Sequence, residues 1–550
     1  MPMLCAVPAE SVAGVLPDPL PDDPAVLKAL LQVQQAAFLQ QLAAERTAAE
    51  QAYQAPRAAD QKAFHARLLE LYEQIRLARQ RQFGRRSEAH PGQLGLFDEA
   101  EVTAAAAPET SDTVELPPSA TKPSTARRRG KRQPLPAELP RIDVIHDVPE
   151  AERTCACGTP LVEVGEEVSE QLDIIPMQVR VLRHIRKRYG CPQGHTAPVT
   201  APVPPQVLPK SNASNDLLAL LLTTKYVDGL PLARFEYVLG RAGVIVPRQT
   251  LARWVIGAAQ ALQPLANLLR DTLLSADLIH MDETPVQVLK EPGRAAAAKS
   301  YMWVQRGGPP GQAVILFDYD PSRSGQVPLR LLADWQGYLM TDGWEAYAAV
   351  VVQQALTHLG CWVHVRRYFL DAAKVLPPGR CGHARQALDY IARLYAIEKA
   401  HRESSPEARA AARHTHSRAV LDELRHWLDA VRPTVPPSTL LGKALHYLHQ
   451  QWPRLVRFLE RGDLPLDNNP AENAIRPFVV GRKAWLFADT PAGAHASALI
   501  YSLVETAKAN GLEPYLWLHH VLRRLPTATT VEHFEALLPW NCQAADLITT

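Results

Sequence analysis

The stretch Leu466-Asp467-Asn468-Asn469-Pro470-Ala471-Glu472-Asn473-Ala474-Ile475-Arg476-Pro477, with Gly481-Arg482-Lys483 just beyond it, decides how the rest of the chain reads. Asn469 is expected as a helix N-cap and Pro470 as the first helical residue, where a missing N–H costs nothing and φ is preset. Glu472 falls three positions after that cap. Two roles compete for it. As half of a capping box it returns to the cap's N–H and does nothing else. Alternatively its carboxylate stands among cations, with Arg476 one helical turn on and Arg482 and Lys483 soon after. That company suits divalent metal beside phosphate, and such a site needs further acids upstream.

At 550 residues the chain is too long for one core, and several domains are expected. A net charge of only +2 means that any affinity for nucleic acid comes from local patches. Residues 122–132 carry six Lys/Arg and no acid, including Arg127, Arg128, Arg129, Lys131 and Arg132. Residues 180–188 carry five and no acid, among them Arg183, Arg186, Lys187 and Arg188. The pair Arg366-Arg367 is a third patch. No leader-like start and no apolar run long enough for a bilayer is seen, so no membrane partner is expected. Seven cysteines, three of them clustered with a histidine, point to metal binding in a reducing compartment, and the expected location is the cytoplasm.

Residues 1–24, rich in Pro and acid, are expected to be disordered. From 25 to 88 the pattern is helical, with Pro56 separating two helices. Phe64, Leu68, Leu71, Ile75 and Ala78 step by 4-3-4-3, an a/d seam that predicts a zipper-like hairpin or coiled coil joining copies of the chain. Residues 89–140 read as a basic Pro/Ala-rich linker able to follow a phosphate backbone. Over 141–205, Cys155-Ala156-Cys157 and Cys191-Pro192-Gln193-Gly194-His195 supply a Cys3His set for structural zinc in a zinc-ribbon-like β domain, with a strand over 179–185 beside it. Over 206–270, helices at 215–226, 232–241 and 248–261 resemble a helix-turn-helix. Its last helix would bring Arg248, Gln249, Thr250 and Arg253 to the major groove. A plain packing bundle fits the same spacing.

From residue 276 strands and helices alternate. Strands are expected at 278–281, ending in Asp282, and at 301–305 and 313–317. A helix at 327–334 follows, then a strand at 337–341 running into Asp342-Gly343, and a strand at 356–363 leading to Arg366. Three antiparallel strands, then helix, strand, helix and strand, is the order of a ribonuclease-H-like α/β fold. The catalytic core would span 271–372 and 466–510 around a helical insertion at 373–465, with a C-terminal segment at 511–550. Asp282, Asp342 and Glu472 then meet at one sheet edge as hard oxygen ligands for two Mg²⁺ or Mn²⁺ ions, which activate a water or 3′-hydroxyl for in-line attack at phosphorus. Arg476, Lys483 or Arg366 would offset charge on the phosphate oxygens.

A family resemblance sits on these residues. His280-Met281-Asp282-Glu283-Thr284, Thr341-Asp342-Gly343-Trp344-Glu345-Ala346-Tyr347, Cys361-Trp362-Val363-His364-Val365-Arg366-Arg367-Tyr368-Phe369 and the opening stretch together resemble the large DDE transposase of the insertion-sequence sixty-six group, the TnpC type. Phe83-Gly84-Arg85-Arg86-Ser87-Glu88 and Ala507-Lys508-Ala509-Asn510-Gly511 extend the likeness to nearly everything from about residue 25 onward. The resemblance implies an enzyme that binds terminal inverted repeats of double-stranded DNA, cleaves there and joins the ends to target DNA, with Asp282, Asp342 and Glu472 as the catalytic acids. It also implies small accessory proteins as partners. Two departures stand out. The cysteine knuckles are tighter or wider than the family's C-x2-C pairs, and the Arg that commonly follows the catalytic Glu is Asn473 here. The competing readings are a ribonuclease-H-fold nuclease and an inactive repressor of element ends.

Replacing Cys191 with Ser removes one zinc ligand. Bound zinc should fall from about one per chain towards zero, and residues near 150–200 should become protease-sensitive. An unchanged zinc content and melting profile would refute the structural-zinc reading.

Overall fold

A computed structural model describes residues 23–83, 179–189, 199–200, 202, 204–375, 382–543 and 547. The arm with Arg127, Arg128, Arg129, Lys131 and Arg132 lies outside the described residues, as do Cys155, Cys157, Cys191 and His195. Residues 1–86 with 186–550 form one unit and residues 87–185 a second. Of the second unit only 179–185 are described; they are exposed and not in a strand, contrary to the strand expected there. A strand persists only with a partner for its backbone groups, and among the described residues none pairs with this segment. The pairing begins later, where β1 (Arg188–Tyr189) meets β2 (Val199–Thr200) antiparallel.

Helix α1 (Pro24–Phe83) is continuous, so Pro56 does not divide it into a hairpin. Alanine, glutamine and arginine, all strong helix formers, surround that proline and carry the helix past the lost hydrogen bond. The expected seam is open: Phe64, Leu68, Leu71 and Ile75 are exposed. The helix docks by another face. Glu73 Oε2 accepts the Leu440 N–H at 2.7 Å, and Glu70 pairs with Lys443 at 2.9 Å. Leu440 is the first residue of a later helix, and a carboxylate at a helix N-terminus meets unpaired donors and the positive dipole end.

The three helices α2 (Asn215–Tyr226), α3 (Leu232–Arg241) and α4 (Arg248–Leu274) follow. The α3–α4 turn uses Gly243 at φ 77°, a conformation that favours glycine. Helix α4 continues past residue 261, through Pro264, to the edge of the main sheet. Its buried face, from Leu251 to Leu273, belongs to the same continuous core as the strands. Arg248, Gln249 and Arg253 are exposed at its start and Thr250 is half-buried.

The main sheet has five strands: β3 (Leu278–Gln287), β4 (Lys299–Gly307), β5 (Val314–Asp320), β6 (Tyr338–Thr341) and β7 (Thr357–Gly360), in the order β5-β4-β3-β6-β7. β3, β4 and β5 pair antiparallel, whereas β3–β6 and β6–β7 are parallel. Short helices α5 (Gln326–Leu331) and α6 (Tyr347–Gln353) flank β6 in sequence. The strand expected at 356–363 stops at Gly360, and α7 (Trp362–Lys374) begins at once.

The helical insertion comprises α8 (His383–Ala400), α9 (Pro406–Ala412), a π-helical turn (Arg413–Ser417), α10 (Arg418–Val431) and α11 (Leu440–Leu455). Then come α12 (Asn469–Trp485), α13 (Pro491–Ala509), α14 (Pro514–Arg524) and α15 (Val531–Glu535). Residues alternate along the sheet, so Ile279, Met281 and Leu339 enter the core built with α4, α13 and α14. Met340 and Leu359 turn the other way, into a second core with α7, α8, α10 and α11.

Strand β5 is a sheet edge, and its free backbone groups need partners. Helix α13 supplies them at four-residue spacing. Ser502 Oγ accepts the Phe317 N–H at 2.8 Å, Thr506 Oγ1 accepts the Ile315 N–H at 3.0 Å, and Asn510 Nδ2 donates to the Ala313 carbonyl at 2.7 Å.

A buried arginine closes the insertion onto the core. Arg413 pairs in fork geometry with Glu398 (2.8 and 2.7 Å) and donates to the carbonyls of Phe458, Arg461 and Leu464 at 2.7, 2.5 and 2.9 Å. It is 1% exposed, so no water can replace these bonds. The three carbonyls belong to the loop that feeds the stretch quoted at the outset. Arg413→Ala should lower unfolding stability by about 3–5 kcal/mol, because it leaves a half-buried carboxylate and three carbonyls without their donor. Urea unfolding measures this, and a change below about 1 kcal/mol would contradict the clamp.

Candidate functional site

Strand β3 runs past the point expected. It continues through Asp282 to Gln287, paired on one side with β4 throughout. On its other side the parallel ladder with β6 reaches only His280. Beyond His280 the sheet therefore opens a notch, and Asp282 stands in it. Asp342 lies on the notch's far wall, directly after the last residue of β6.

Helix α12 spans the same opening because both of its ends are tied to β3. At the start, fully buried Asn468 donates from Nδ2 to the Met281 carbonyl (2.8 Å), and its Oδ1 meets His280 Nδ1 at 3.0 Å. Its N–H donates to Cys361 Sγ at 3.2 Å, which ties in the start of α7. At the end, Leu486 (φ 66°) turns the chain so that the Ala488 N–H bonds Gln287 and the Leu289 N–H bonds Ala488. Arg306 of β4 holds the Pro470 carbonyl at 3.1 Å.

The capping box, one of the two roles open to Glu472, does not form. The cap is Asn468, one residue earlier than expected, and its side chain is spent on β3 rather than on the helix. Glu472 thus falls four positions after the cap, one too far to return to it. Its Oε2 lies 3.5 Å from Arg367 and its Oε1 lies 3.8 Å from His364 Nδ1. Oε1 is buried without a hydrogen-bond partner, and so is His364 Nδ1.

Burial pushes the Asp282 carboxyl up to about 8, with neighbouring Glu283, Asp342 and Glu472 adding to the rise. Its Oδ1 accepts the Glu283 N–H at 2.9 Å. Asp342 Oδ1 accepts the Trp344 N–H at 2.9 Å, and the Asp342 carbonyl accepts the Tyr447 hydroxyl at 2.5 Å. Gly343 (φ 86°) sits so close to Gln451 of α11 that a Cβ would come within 2.8 Å of Oε1. Glu283 is already occupied: Arg323 binds its Oε1 at 2.9 and 2.6 Å, and Tyr347 its Oε2 at 2.6 Å. Burial lowers the His364 imidazole, with Glu472 opposing, and lowers His280 to about 4. Asp467, raised by burial, accepts from Tyr395 of the insertion at 2.9 Å.

Asp282, Asp342 and Glu472 lie near enough to one another at this notch to interact electrostatically. The cations sort differently. Arg367 meets Glu472 at 3.5 Å, and Arg366 acts electrostatically on Tyr395. Arg476 lies one turn beyond Glu472, with a buried Nε lacking a hydrogen-bond partner. Lys483 is exposed, and Arg482 reaches Thr284 Oγ1 at 3.3 Å. His364, Asn468, Tyr395 and Tyr447 are not singled out by the sequence, and Arg367 is read there only as half of a basic patch. His364 and Arg367 share a helix face three residues apart, a signal that a strand over 356–363 hides.

Residues 210–496, more than half of the chain, match the Transposase IS66 family. The chain belongs to that family. Residues 502–540 match the IS66 C-terminal element, and 70–144 match the Transposase C of IS166 homeodomain. Residues 152–193 match the zinc-finger binding domain of transposase IS66, a span that holds Cys155, Cys157 and Cys191 and ends just before His195. That match supports structural zinc, and these domains support DNA binding by this IS66 transposase. Similar proteins occur in Sinorhizobium fredii. The protein y4qI is 30% identical over 95% of this chain and 97% of its own length. The protein y4jD is 32% identical over 74% of this chain and 82% of its own. Among the described residues no helix is long and apolar enough to cross a membrane.

An acid raised from 3.8 to about 8 keeps a proton in the folded state that the unfolded chain has lost. Folding is therefore opposed increasingly as pH rises from about 4 through 8. Asp282→Asn removes that opposition. The metal-free variant should melt roughly 2–4 °C above wild type at pH 9, and the gap should close towards pH 4. A gap independent of pH would remove Asp282 from the coupled cluster.

Proposed function

We propose that this IS66 transposase cleaves DNA at the ends of an insertion sequence and joins them to target DNA through Asp282, Asp342 and Glu472. The observation that carries the reading is their convergence in the sheet notch, with Glu472 Oε1 buried and unpartnered. The strand order β5-β4-β3-β6-β7, three antiparallel then two parallel, supports a ribonuclease-H-like fold for the core.

Three carboxylates with an unsatisfied buried oxygen fit a hard divalent ion, and Asp282, Asp342 and Glu472 would hold it. When bound, magnesium or manganese supplies Lewis-acid activation of the attacking oxygen and charge stabilisation of the leaving one. The protein's own groups do the rest. Met281, Cys361 and His280 fix Asn468, and so the position of Glu472 relative to Asp282. Tyr447 and Gln451 fix the Asp342 turn. Arg367, half-exposed at the rim, holds Glu472 and is within reach of an incoming phosphate, with Arg476 behind it. Arg248, Gln249 and Arg253 at the start of α4, and Arg183 and Lys187 before β1, are exposed cations and donors suited to duplex DNA. The open apolar seam of α1 supports pairing with a second copy of the chain. Small accessory proteins remain partners that only the family likeness suggests.

Purified wild type and Glu472→Gln, each with a labelled duplex carrying the element's end, test the reading with Mg²⁺ and with EDTA. Wild type should cut only with Mg²⁺. The variant should bind as tightly and cut slower by about 10²-fold or more. Equal cutting by both proteins would remove Glu472 from the catalytic set.

A further inference from the structure

We propose that His364 is a nitrogen ligand to the ion held at Glu472, which makes the site a mixed carboxylate–imidazole one that favours manganese over magnesium. The inference rests on the reading of Glu472 as a metal carboxylate and adds a donor to it.

Two buried atoms face each other without partners: His364 Nδ1 and Glu472 Oε1. At 3.8 Å they are too far apart for a hydrogen bond. Two adjacent ligands on one octahedral ion are about 3.0 Å apart when each bond is near 2.1 Å. Side-chain rotations that move the two atoms together by about 0.8 Å close the gap. Leaving both atoms desolvated and unpaired is costly, and one shared cation satisfies both at once.

Cys361 Sγ lies in the same cluster, within 4.8 Å of the other two ligand atoms. It is committed elsewhere, because it accepts the Asn468 N–H at 3.2 Å and so anchors the start of α12. Asp342 is near enough to act electrostatically on His364 and is the natural third donor. The groups facing the pair are thus Asp342, Arg367 and Cys361; Arg367 Nη1 also donates to His364 Nε2 at 3.5 Å, a contact that must open so that the ring proton moves to Nε2 when Nδ1 takes the ion. Carboxylates alone suit magnesium, whereas an imidazole nitrogen shifts preference to a transition ion.

The test uses zinc-replete, full-length protein. Free Mn²⁺ is titrated by electron paramagnetic resonance, and the bound ion is examined by electron spin-echo envelope modulation. Wild type should show nitrogen modulation that disappears in His364→Gln and His364→Phe, both checked for native circular dichroism. Manganese binding should weaken about tenfold or more in these variants, while competing magnesium is affected less. If Glu472→Gln weakens manganese binding but His364→Gln does not, and nitrogen modulation is absent or persists in both histidine variants, the inference is overturned and the carboxylate site stands. If Glu472→Gln and Asp282→Asn leave manganese binding unchanged, or wild type binds none, the carboxylate reading falls and this inference with it.

Discussion

Everything at the notch depends on Asn468. Its side chain is shared between His280 and the Met281 carbonyl, its N–H is given to Cys361, and its carbonyl accepts the first N–H groups of α12. One buried amide thus joins β3, the start of α7 and the start of α12, three segments far apart in sequence. An amide suits this place because it offers donors and an acceptor together without a charge to bury. Were Asn468 a conventional cap, its side chain would satisfy the helix and leave β3 unattached. Glu472 and Asp282 would then have no fixed relation.

The insertion between α7 and α12 belongs to the same construction. Arg413 gathers the loop before Asn468, Tyr395 holds Asp467, and Tyr447 with Gln451 holds the turn at Asp342. Rigid placement of carboxylates matters because they repel one another, which adds to the rise that burial gives the Asp282 carboxyl. A loosely held set would spread apart. The second hydrophobic core, built by α7, α8, α10 and α11 against Met340 and Leu359, resists that spreading. The insertion reads as featureless in sequence because its contribution is made by single tyrosines and one arginine, each ordinary in its local context.

On the opposite side, α4 runs from exposed Arg248 and Gln249 to the sheet without a break. At 1.5 Å per residue, its 27 residues span roughly 40 Å as one stiff rod. Its buried face shares the core of the sheet, so the residues suited to DNA and the acidic notch are parts of one packed body. The serine and threonine ladder from α13 to β5 seals the remaining sheet edge within that body.

By itself the sequence determined the order of strands and helices and the family likeness, because periodicity and short motifs are written locally. It also located α2 and α3 to the residue, where caps and turn residues mark the ends. It misplaced the cap of α12 by one residue, ended β3 too early and extended β7 into α7. Those boundaries depend on partners distant in the chain: β6 stops pairing at His280, and Asn468 is claimed by β3. Which arginine meets Glu472 likewise followed from where α7 begins, since one residue of shift turns a side chain about 100° around a helix. Only the tertiary structure could decide these, because each turns on which backbone or side-chain group a distant segment leaves unsatisfied.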